Sequence, residues 1–97
     1  MKQRRIRADK SFKKALEKLP ADVREATRDA LKDFIARSRE NSLRPEQKLS
    51  GVWAIRVDRN YRAFYMQEKD ADGKVHVFIH VGPHDDYRML KSRLRKK

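Results

Sequence analysis

Residues 52–87 read VWAIRVDRNYRAFYMQEKDADGKVHVFIHVGPHDDY and contain three runs with the alternating pattern of β-strands. Two turn signals separate the runs. Asn60 marks the first turn, and Asp72-Gly73 marks the second, because both sequences tolerate the backbone angles of tight hairpins. The stretch therefore predicts a three-stranded antiparallel sheet around which the rest of the chain is organised.

The alternation assigns the side chains of the three runs to two faces, since neighbouring residues of a strand point in opposite directions. The predicted apolar face carries Trp53, Ile55, Val57, Tyr61, Ala63, Tyr65, Val75, Val77, Ile79 and Val81. A small sheet buries one face against helices. We then expect Arg56, Arg62 and His80 to converge on the opposite face, with His76 and Phe78 also there.

Two helices are predicted before this stretch. Asp9 is a candidate N-cap for a helix that begins at Lys10, and Pro20 ends that helix and starts a second one, which runs to about Arg39. Apolar residues recur at helical spacing at Phe12, Ala15, Leu16 and Leu19, and then at Val23, Ala26, Ala30, Leu31, Phe34 and Ile35. The short connection between the helices predicts an antiparallel hairpin.

The flanking segments complete the predicted fold. Residues 4–8 form a candidate strand, whereas residues 40–51 are predicted to be a connector in which Pro45 prevents a helix and Gly51 permits the turn into the sheet. Pro83 should end the last strand. The predicted class is α+β, with an N-terminal strand and an antiparallel helix hairpin packed on a small, mostly antiparallel sheet.

A C-terminal helix is expected after the sheet. Asp85 or Asp86 can cap it, and Tyr87, Leu90 and Leu94 would share one side of it. Basic residues dominate the same end, at Arg88, Lys91, Arg93, Arg95, Lys96 and Lys97. This end is either a solvated tail or a surface that contacts a phosphate backbone.

Length and composition narrow the function classes. The 97 residues predict a single domain over residues 1–97, and the absence of cysteine excludes disulfides and thiolate zinc sites. No apolar run approaches the ~18 residues of a membrane span, so we expect a cytoplasmic protein without a membrane partner. The net charge of +12 favours a polyanionic partner, either a nucleic acid or an acidic protein.

Three segments together resemble a known family. FKKALEKLP at 12–20, KLSGVWAIRVDRNYRAFY at 48–65 and VGPHDDY at 81–87 are similar to the RelE/ParE superfamily, the toxins of bacterial type II toxin–antitoxin pairs. The resemblance extends over nearly the whole chain. It implies either a RelE-like ribonuclease that cuts mRNA, mostly on the ribosome, or a ParE-like protein that inhibits DNA gyrase without chemistry. A non-toxic nucleic-acid-binding module of the same fold is a third possibility.

The ribonuclease reading implies candidate phosphate ligands. Arg62 falls where the resemblance places a strand arginine beside the scissile phosphate, and its structural alternative is a surface ion pair with Asp58 or Asp86. Arg56 lies on the same predicted face. Lys48 and Arg88 are further candidates for binding RNA. Arginine suits the role because it stays charged and binds phosphate through a planar fork.

Proton transfer requires different side chains. The resemblance places an acid–base group at His84 and a catalytic or base-stacking tyrosine at Tyr87, and His80 is a candidate for the second acid–base group. Each has a structural alternative, namely a turn histidine, a helix-packing tyrosine and a sheet histidine. The nearby aspartates could orient His84 or cap the helix. His76 and His80 are roughly 13 Å apart along one strand, which is too far for one metal ion, so we predict neither a metal nor another cofactor.

The resemblance also implies partners. An acidic antitoxin would wrap the toxin in a hetero-oligomeric complex, and the cationic surface would dock on mRNA and on ribosomal RNA. We therefore expect an mRNA endoribonuclease that inhibits translation by metal-independent attack of the 2′-hydroxyl on the scissile phosphate.

Overall fold

The computed structural model describes residues 5–36, 46–49 and 51–90, and within 46–49 it describes the backbone alone. The elements in these ranges are β1 (Ile6–Ala8), α1 (Lys10–Glu17), α2 (Ala21–Ala36), β2 (Glu46–Leu49), β3 (Val52–Arg56), β4 (Tyr61–Asp70), β5 (Gly73–Pro83) and a 3₁₀ turn, η1 (His84–Asp86). Residues 87–90 continue from η1 as a helix. The predicted order of elements is confirmed, with one strand added.

The strands form one sheet in the order β1-β5-β4-β3-β2. β1 pairs with β5 in parallel, and the other neighbours are antiparallel. A crossover is required to bring a parallel strand back into the same sheet. The two helices and the three strands that separate β1 from β5 in sequence supply it. The α+β class is confirmed, including its N-terminal strand.

The added strand corrects the prediction that residues 40–51 are only a connector. β2 pairs antiparallel with β3, with Gln47 opposite Trp53 and Leu49 opposite Val52. Gly51 makes the turn between them at φ +82°, a conformation that favours glycine. Glu-Gln-Lys-Leu lacks the alternation of a half-buried strand, so its own pattern could not reveal it. The hairpin turn and the partner strand determine the pairing.

Helix α1 begins at Lys10 as predicted, and Asp9 is its N-cap residue, but the Asp9 side chain makes no capping hydrogen bond. Its carboxylate lies 3.1 Å from the hydroxyl of Ser11, which donates a shorter bond of 2.6 Å to the carbonyl of Ile79. The backbone N–H of Asp9 donates to the carbonyl of Phe78. The start of the helix is thus attached to β5, which replaces the expected local cap.

Helix α2 follows Pro20, whose carbonyl accepts the N–H of Arg24 at 2.9 Å. The helix is described to Ala36, and the predicted extension to Arg39 lies outside the described residues. Its buried residues are Val23, Thr27, Ala30 and Phe34. Thr27 was not predicted, because it is polar; its hydroxyl donates to the carbonyl of Val23, which removes the cost of burying it.

One face of the sheet packs on the two helices through aromatic rings. The buried cluster on this hairpin face consists of Phe12, Ala30, Phe34, Ile55, Ala63, Tyr65, Phe78 and Val81. The Phe34 ring of α2 lies 5.3 Å from Tyr65 and 5.6 Å from Phe78, centroid to centroid. A second cluster, on the opposite face, consists of Val52, Ala54, Phe64 and Leu90.

The predicted face assignment of β5 is confirmed for His80 and Val81 but wrong for the residues up to Ile79, because a β-bulge reverses the alternation there. Phe64 pairs with His80 but the next residue, Tyr65, pairs with Phe78, so β5 has one residue more than β4 at this point. Phe78 therefore belongs to the hairpin face, whereas Ile79 packs on the opposite face. An insertion of one residue exchanges the two faces beyond it.

The bulge also separates two histidines that simple alternation places together. The His76 ring lies 5.2 Å from Phe34 and 5.3 Å from Tyr65, on the hairpin face. The His80 ring lies 5.9 Å from Phe64, which belongs to the opposite cluster. Only His80 shares a face with the predicted site.

Candidate functional site

The site is built around the turn between β3 and β4. The Asp58 carboxylate accepts the backbone N–H groups of Asn60 at 2.8 Å and of Tyr61 at 2.9 Å. Aspartate makes such local bonds readily, and they substitute for backbone pairing in a turn. The Asp58 side chain is consequently used inside the turn, which fixes the start of β4.

Arg62 is the second residue of β4 and lies opposite Arg56 of β3 and Gly82 of β5. Its Nη1 donates to the carbonyl oxygens of Asp58 at 2.8 Å and of Tyr61 at 2.9 Å. These bonds reach the Asp58 backbone, whereas the expected structural alternative was an ion pair with a carboxylate. A guanidinium has five N–H donors, so the two bonds orient the group without using its full capacity.

His84 is attached to the same turn. β5 ends at Pro83, opposite Tyr61, and the backbone N–H of His84 donates to the carbonyl of Asn60 at 2.9 Å. The imidazole is 53% exposed, and its Nδ1 lies 3.1 Å from Oδ1 of Asp85. The carboxylate favours a proton on Nδ1, and Nε2 is then the nitrogen with a free lone pair. An exposed imidazole is therefore carried by a residue whose backbone is bound to the turn that holds Arg62.

His80 lies behind this surface. Its side chain is only 11% exposed, and its Nε2 donates to Oδ2 of Asp86 at 2.8 Å. The ring is tilted by 31° against Phe64. The two aspartates of η1 therefore bind different histidines: Asp85 binds the exposed His84, and Asp86 binds the buried His80. The N-cap residue of η1 is Pro83, and no side chain caps this turn.

Tyr87 and Arg88 continue the surface beyond η1. Tyr87 is half-buried against the opposite-face cluster, and the guanidinium carbon of Arg88 lies 5.8 Å from the centroid of its ring. Interaction with the Tyr87 side chain, and secondarily with the negative charge of Asp85, raises the pKa of Arg88 above its usual value. Arg88 is exposed and remains charged under all physiological conditions.

Arg56 and Arg62 form an unusual cross-strand pair. Like charges directly opposite each other destabilise an antiparallel pair. Arg56 is exposed and lies at the end of β3, and exposed Arg59 lies in the adjoining turn. Three arginines thus occur within one turn and its two flanking strand ends, a concentration of positive charge that a bound anion would relieve.

The model of the ParE toxin family, described as the ParE toxin of the type II toxin–antitoxin system parDE, matches residues 6–87. This chain belongs to the ParE toxin family. The match covers nearly all of the residues that the structure describes, from β1 to the first residue of the final helix. The toxin's position in the RelE/ParE superfamily, expected from its sequence segments, is confirmed. Among curated proteins, none matches the toxin.

Solved structures show the same fold. The RelBE2 toxin–antitoxin complex of Mycobacterium tuberculosis is similar with a TM-score of 0.63 and 20% identity over 84% of this chain and 99% of that one. The YoeB/ParE toxin of Agrobacterium tumefaciens is similar with a TM-score of 0.61 and 16% identity, over 82% of this chain and 98% of that one. The archaeal RelE–RelB complex of Pyrococcus horikoshii is similar with a TM-score of 0.53 and 19% identity, over 86% of this chain and 97% of that one. At these identities the likeness establishes the fold of the toxin and leaves its target open.

The toxin brings some of the predicted site residues together. Arg62 and His84 both bind the β3–β4 turn, and Arg56 lies opposite Arg62. Tyr87 follows η1 directly, whereas His80 is buried behind it. Lys48 lies outside the residues whose side chains are described; its backbone is in β2 beside Val52 and Trp53, at the far end of β3 from Arg56.

Sequence reasoning missed three contributors to the site. Asp86 was expected to be a helix cap, a partner of His84 or an ion-pair partner of Arg62, but it pairs with His80. Gly82 and Arg59 were not considered. The signal for Gly82 was present in the spacing His80-Val81-Gly82, since a glycine two residues from a histidine lies on the same face of a strand. The pairing of Asp86 depends on the path of η1, which spacing does not give.

No helix among the described residues is long and apolar enough to cross a membrane. Within the same residues, no group of three or more metal-ligating side chains comes together. Leu94 and the basic residues from Lys91 onward lie outside the described residues.

Proposed function

We propose that this toxin is an endoribonuclease that cuts mRNA and thereby inhibits translation. The observation that carries the proposal is that His84, whose half-exposed imidazole has a carboxylate at Nδ1, is bound through its backbone N–H to the same turn as the guanidinium of Arg62. A base and a cation adjacent to one turn are the groups that RNA cleavage by an internal hydroxyl requires.

The chemistry assigns a role to each group. The 2′-oxygen forms a bond to phosphorus while its proton passes to Nε2 of His84, and the bond from phosphorus to the 5′-oxygen breaks. The 5′-oxygen leaves with a proton from a second acid, for which Tyr87 is the candidate. The products are a 2′,3′-cyclic phosphate and a 5′-hydroxyl. His80 does not face the RNA in this scheme, because its side chain is buried and its Nε2 is occupied by Asp86.

The arginines would stabilise the charge that develops on the phosphate. Arg62 is oriented by two carbonyl groups before RNA binds, so little of its side-chain freedom has to be lost. Arg56 would bind the same phosphate or its neighbour, which relieves the repulsion between the paired arginines. Arg88 lies on the far side of η1 and would bind the RNA backbone there, and Lys48 remains a candidate for the same role.

The partners follow from the family and the charge. The similar structures from M. tuberculosis and P. horikoshii are toxin–antitoxin complexes. We infer that this toxin also binds a cognate antitoxin, and that the antitoxin is acidic because the toxin has a net charge of +12. The same charge favours docking on ribosomal RNA, so mRNA on the ribosome, in the cytoplasm, is the proposed substrate.

The test is 5′-end mapping of a reporter mRNA on stalled ribosomes and as free RNA, with purified toxin. We expect new 5′ ends at the codon in the decoding site, and their yield should fall by about 10²–10⁴-fold in His84→Ala, because that is the usual contribution of a general base. Lys69→Ala, which changes an exposed residue at the remote tip of the β4–β5 hairpin, should cut normally. Undiminished cutting by His84→Ala would remove the histidine from the chemistry.

Inhibition of DNA gyrase is the second candidate, and the description of the matching family model as the ParE toxin of parDE favours it. A supercoiling assay with purified gyrase tests it on the same protein preparation. Inhibition of supercoiling, together with no new 5′ ends on ribosomal or free mRNA, would replace the ribonuclease proposal. The basic surface around Arg56 and Arg62 would then be a protein- or DNA-binding surface without catalytic function.

A further inference from the structure

The His80–Asp86 pair connects the sheet to the segment that carries the candidate base. His80 is in β5, and Asp86 is the last residue of η1. The histidine side chain is 11% exposed and the aspartate side chain 30% exposed, and the two are joined by a bond of 2.8 Å. A hydrogen bond to a charged group is stronger when it is shielded from water. The His80–Asp86 bond is such a bond, and it can therefore hold a short turn in place.

Gly82 provides the space in which this bond forms. A Cβ atom at Gly82 would overlap Oδ2 of Asp86 and lie 3.0 Å from Nε2 of His80. The backbone of Gly82 does not have the positive φ that would itself demand glycine. The position therefore favours glycine because a side chain would displace the Asp86 carboxylate. The close approach of η1 to β5 at the His80–Asp86 bond thus depends on Gly82.

The bond involves residues that adjoin the proposed site in the chain and in the sheet. Asp86 lies between His84 and Tyr87 in the chain, two residues from the first and next to the second, and Gly82 is opposite Arg62 in the sheet. The N–H of His84 also attaches η1 to the β3–β4 turn, by donating to the carbonyl of Asn60. These two attachments lie at the two ends of η1, and the packing of Tyr87 and Leu90 on the opposite-face cluster follows directly after it.

We propose that Asp86 is a positioning residue: its bond to His80, in the space left by Gly82, holds η1 so that the imidazole of His84 stays beside the β3–β4 turn. The catalytic consequence rests on the proposed ribonuclease function, but the positioning of the turn does not. Asp86 acts through His80 and η1 and does not contact the RNA.

The first test measures position without any substrate, by amide hydrogen exchange and by NMR of the His84 ring in the intact protein. In Asp86→Ala, we expect exchange at residues 84–90 to accelerate by about 10–100-fold, because local opening no longer has to break the bond. The ring nitrogen shifts of His84 should move as well. Exchange in α1 and α2 should stay unchanged. Glu25→Gln, which changes an exposed residue of α2, is the control for loss of a carboxylate. Unchanged exchange and unchanged His84 shifts in Asp86→Ala would overturn the proposal.

Two further variants separate positioning from a general loss of structure. Asp86→Asn retains an oxygen that can accept from Nε2 of His80, so it should restore part of the protection that Asp86→Ala loses. Gly82→Ala should accelerate exchange at 84–90 in the native background, and by a smaller factor in the Asp86→Ala background, because the overlapping carboxylate is then absent. Equal factors in both backgrounds would contradict the role given to Gly82.

The RNA cleavage assay provides the catalytic readout. Supporting groups behind a reactive side chain commonly contribute 10–100-fold, and we expect kcat to fall by about that factor in Asp86→Ala, less in Asp86→Asn, with KM for RNA unchanged. A rise in KM with unchanged kcat would overturn the positioning role. Accelerated exchange in the variant, together with no cleavage by the native protein, would retain the attachment of η1 and reject the ribonuclease function.

Discussion

The two faces of the sheet are filled by different chemistry. On the hairpin face, Tyr65 lies 5.1 Å from Phe78 and Phe34 contacts both rings. The opposite face has a buried apolar cluster of only four residues around Phe64. It also carries the His80–Asp86 hydrogen bond and the guanidinium of Arg62. Burial of large apolar rings dominates the stability of a small domain. The comparison shows that the hairpin face stabilises the sheet, so the opposite face can carry polar groups that packing alone would not select.

The largest expected effect is on the hairpin face. Phe34 is fully buried and contacts Tyr65, Phe78 and His76, so Phe34→Ala leaves a cavity among rings that cannot close it. We expect the free energy of unfolding to fall by about 3–5 kcal/mol, measured by urea denaturation. A loss below about 1 kcal/mol would show that the aromatic face is not the main source of stability.

A smaller effect is expected on the opposite face. Leu90 is 2% exposed and packs in the smaller cluster with Phe64 and Val52. Leu90→Ala should lower the free energy of unfolding by about 2 kcal/mol, the lower end of the usual range, because fewer buried groups surround it. The neighbouring Met89, which is 43% exposed, provides the matched control; Met89→Ala should change stability by less than about 0.5 kcal/mol. If Leu90→Ala cost as much as Phe34→Ala, the two faces would be equivalent.

Arg56 allows stability and binding to be separated at the edge of the opposite face. Arg56→Gln removes the repulsion with Arg62 and should raise the free energy of unfolding by about 0.5 kcal/mol. The same change should weaken RNA binding and reduce the salt dependence of the affinity by about one charge, measured by filter binding at several salt concentrations. Lys69→Gln is the charge-matched control: Lys69 lies opposite Lys74, so the change should raise stability by a similar amount, but it should leave RNA binding and its salt dependence unaltered because Lys69 is remote from the site. Opposite signs for stability and binding are the expected signature of a site residue.

The smallest effect concerns an ion pair at the edge of the sheet. Arg5 of the chain segment before β1 binds the Asp70 carboxylate through both terminal nitrogens, at 3.0 and 2.6 Å. The guanidinium, and then the N–H of Asp72, lower the pKa of Asp70. A carboxyl whose pKa is lower in the folded state stabilises the fold above its unfolded pKa. The stability difference between native protein and Asp70→Asn should thus be constant at neutral pH, begin to decrease at about pH 4, and be lost as the pH falls through the lowered pKa of the folded state. A difference that does not decrease at all as the pH is lowered from about 4 would contradict this cause.

Local patterns were sufficient for most elements of the fold. Asn60 and Asp72-Gly73 located both turns of the central sheet, Pro20 located the break between the helices, and the helical spacing of Val23, Ala30 and Phe34 identified their buried side. These are signals in which the physical cause lies within a few residues. β2 and Thr27 were not predicted, because edge pairing and a satisfied buried hydroxyl depend on neighbours that are not adjacent in sequence.

The candidate site likewise has residues that the sequence identified and an arrangement that only the structure revealed. The resemblance to the superfamily indicated Arg62 and His84, and the structure attaches both to one turn through backbone carbonyls. Periodicity placed His76 and His80 on one face, and the bulge at Ile79 separated them. A single inserted residue leaves no composition signal, yet it reverses every side chain beyond it.

The sequence by itself determined the class of fold, the superfamily and the basic character of the surface, because hydrophobic period, turn residues and charge are properties of short segments. Only the tertiary structure decided that Asp86 binds His80 and that Asp85 binds His84. It also decided that the Arg62 guanidinium donates to the carbonyl groups of the turn. Those pairings depend on the register of β4 with β5 and on the path of η1 over Gly82. Register and path are set by the packing of both faces at once, which no local segment specifies.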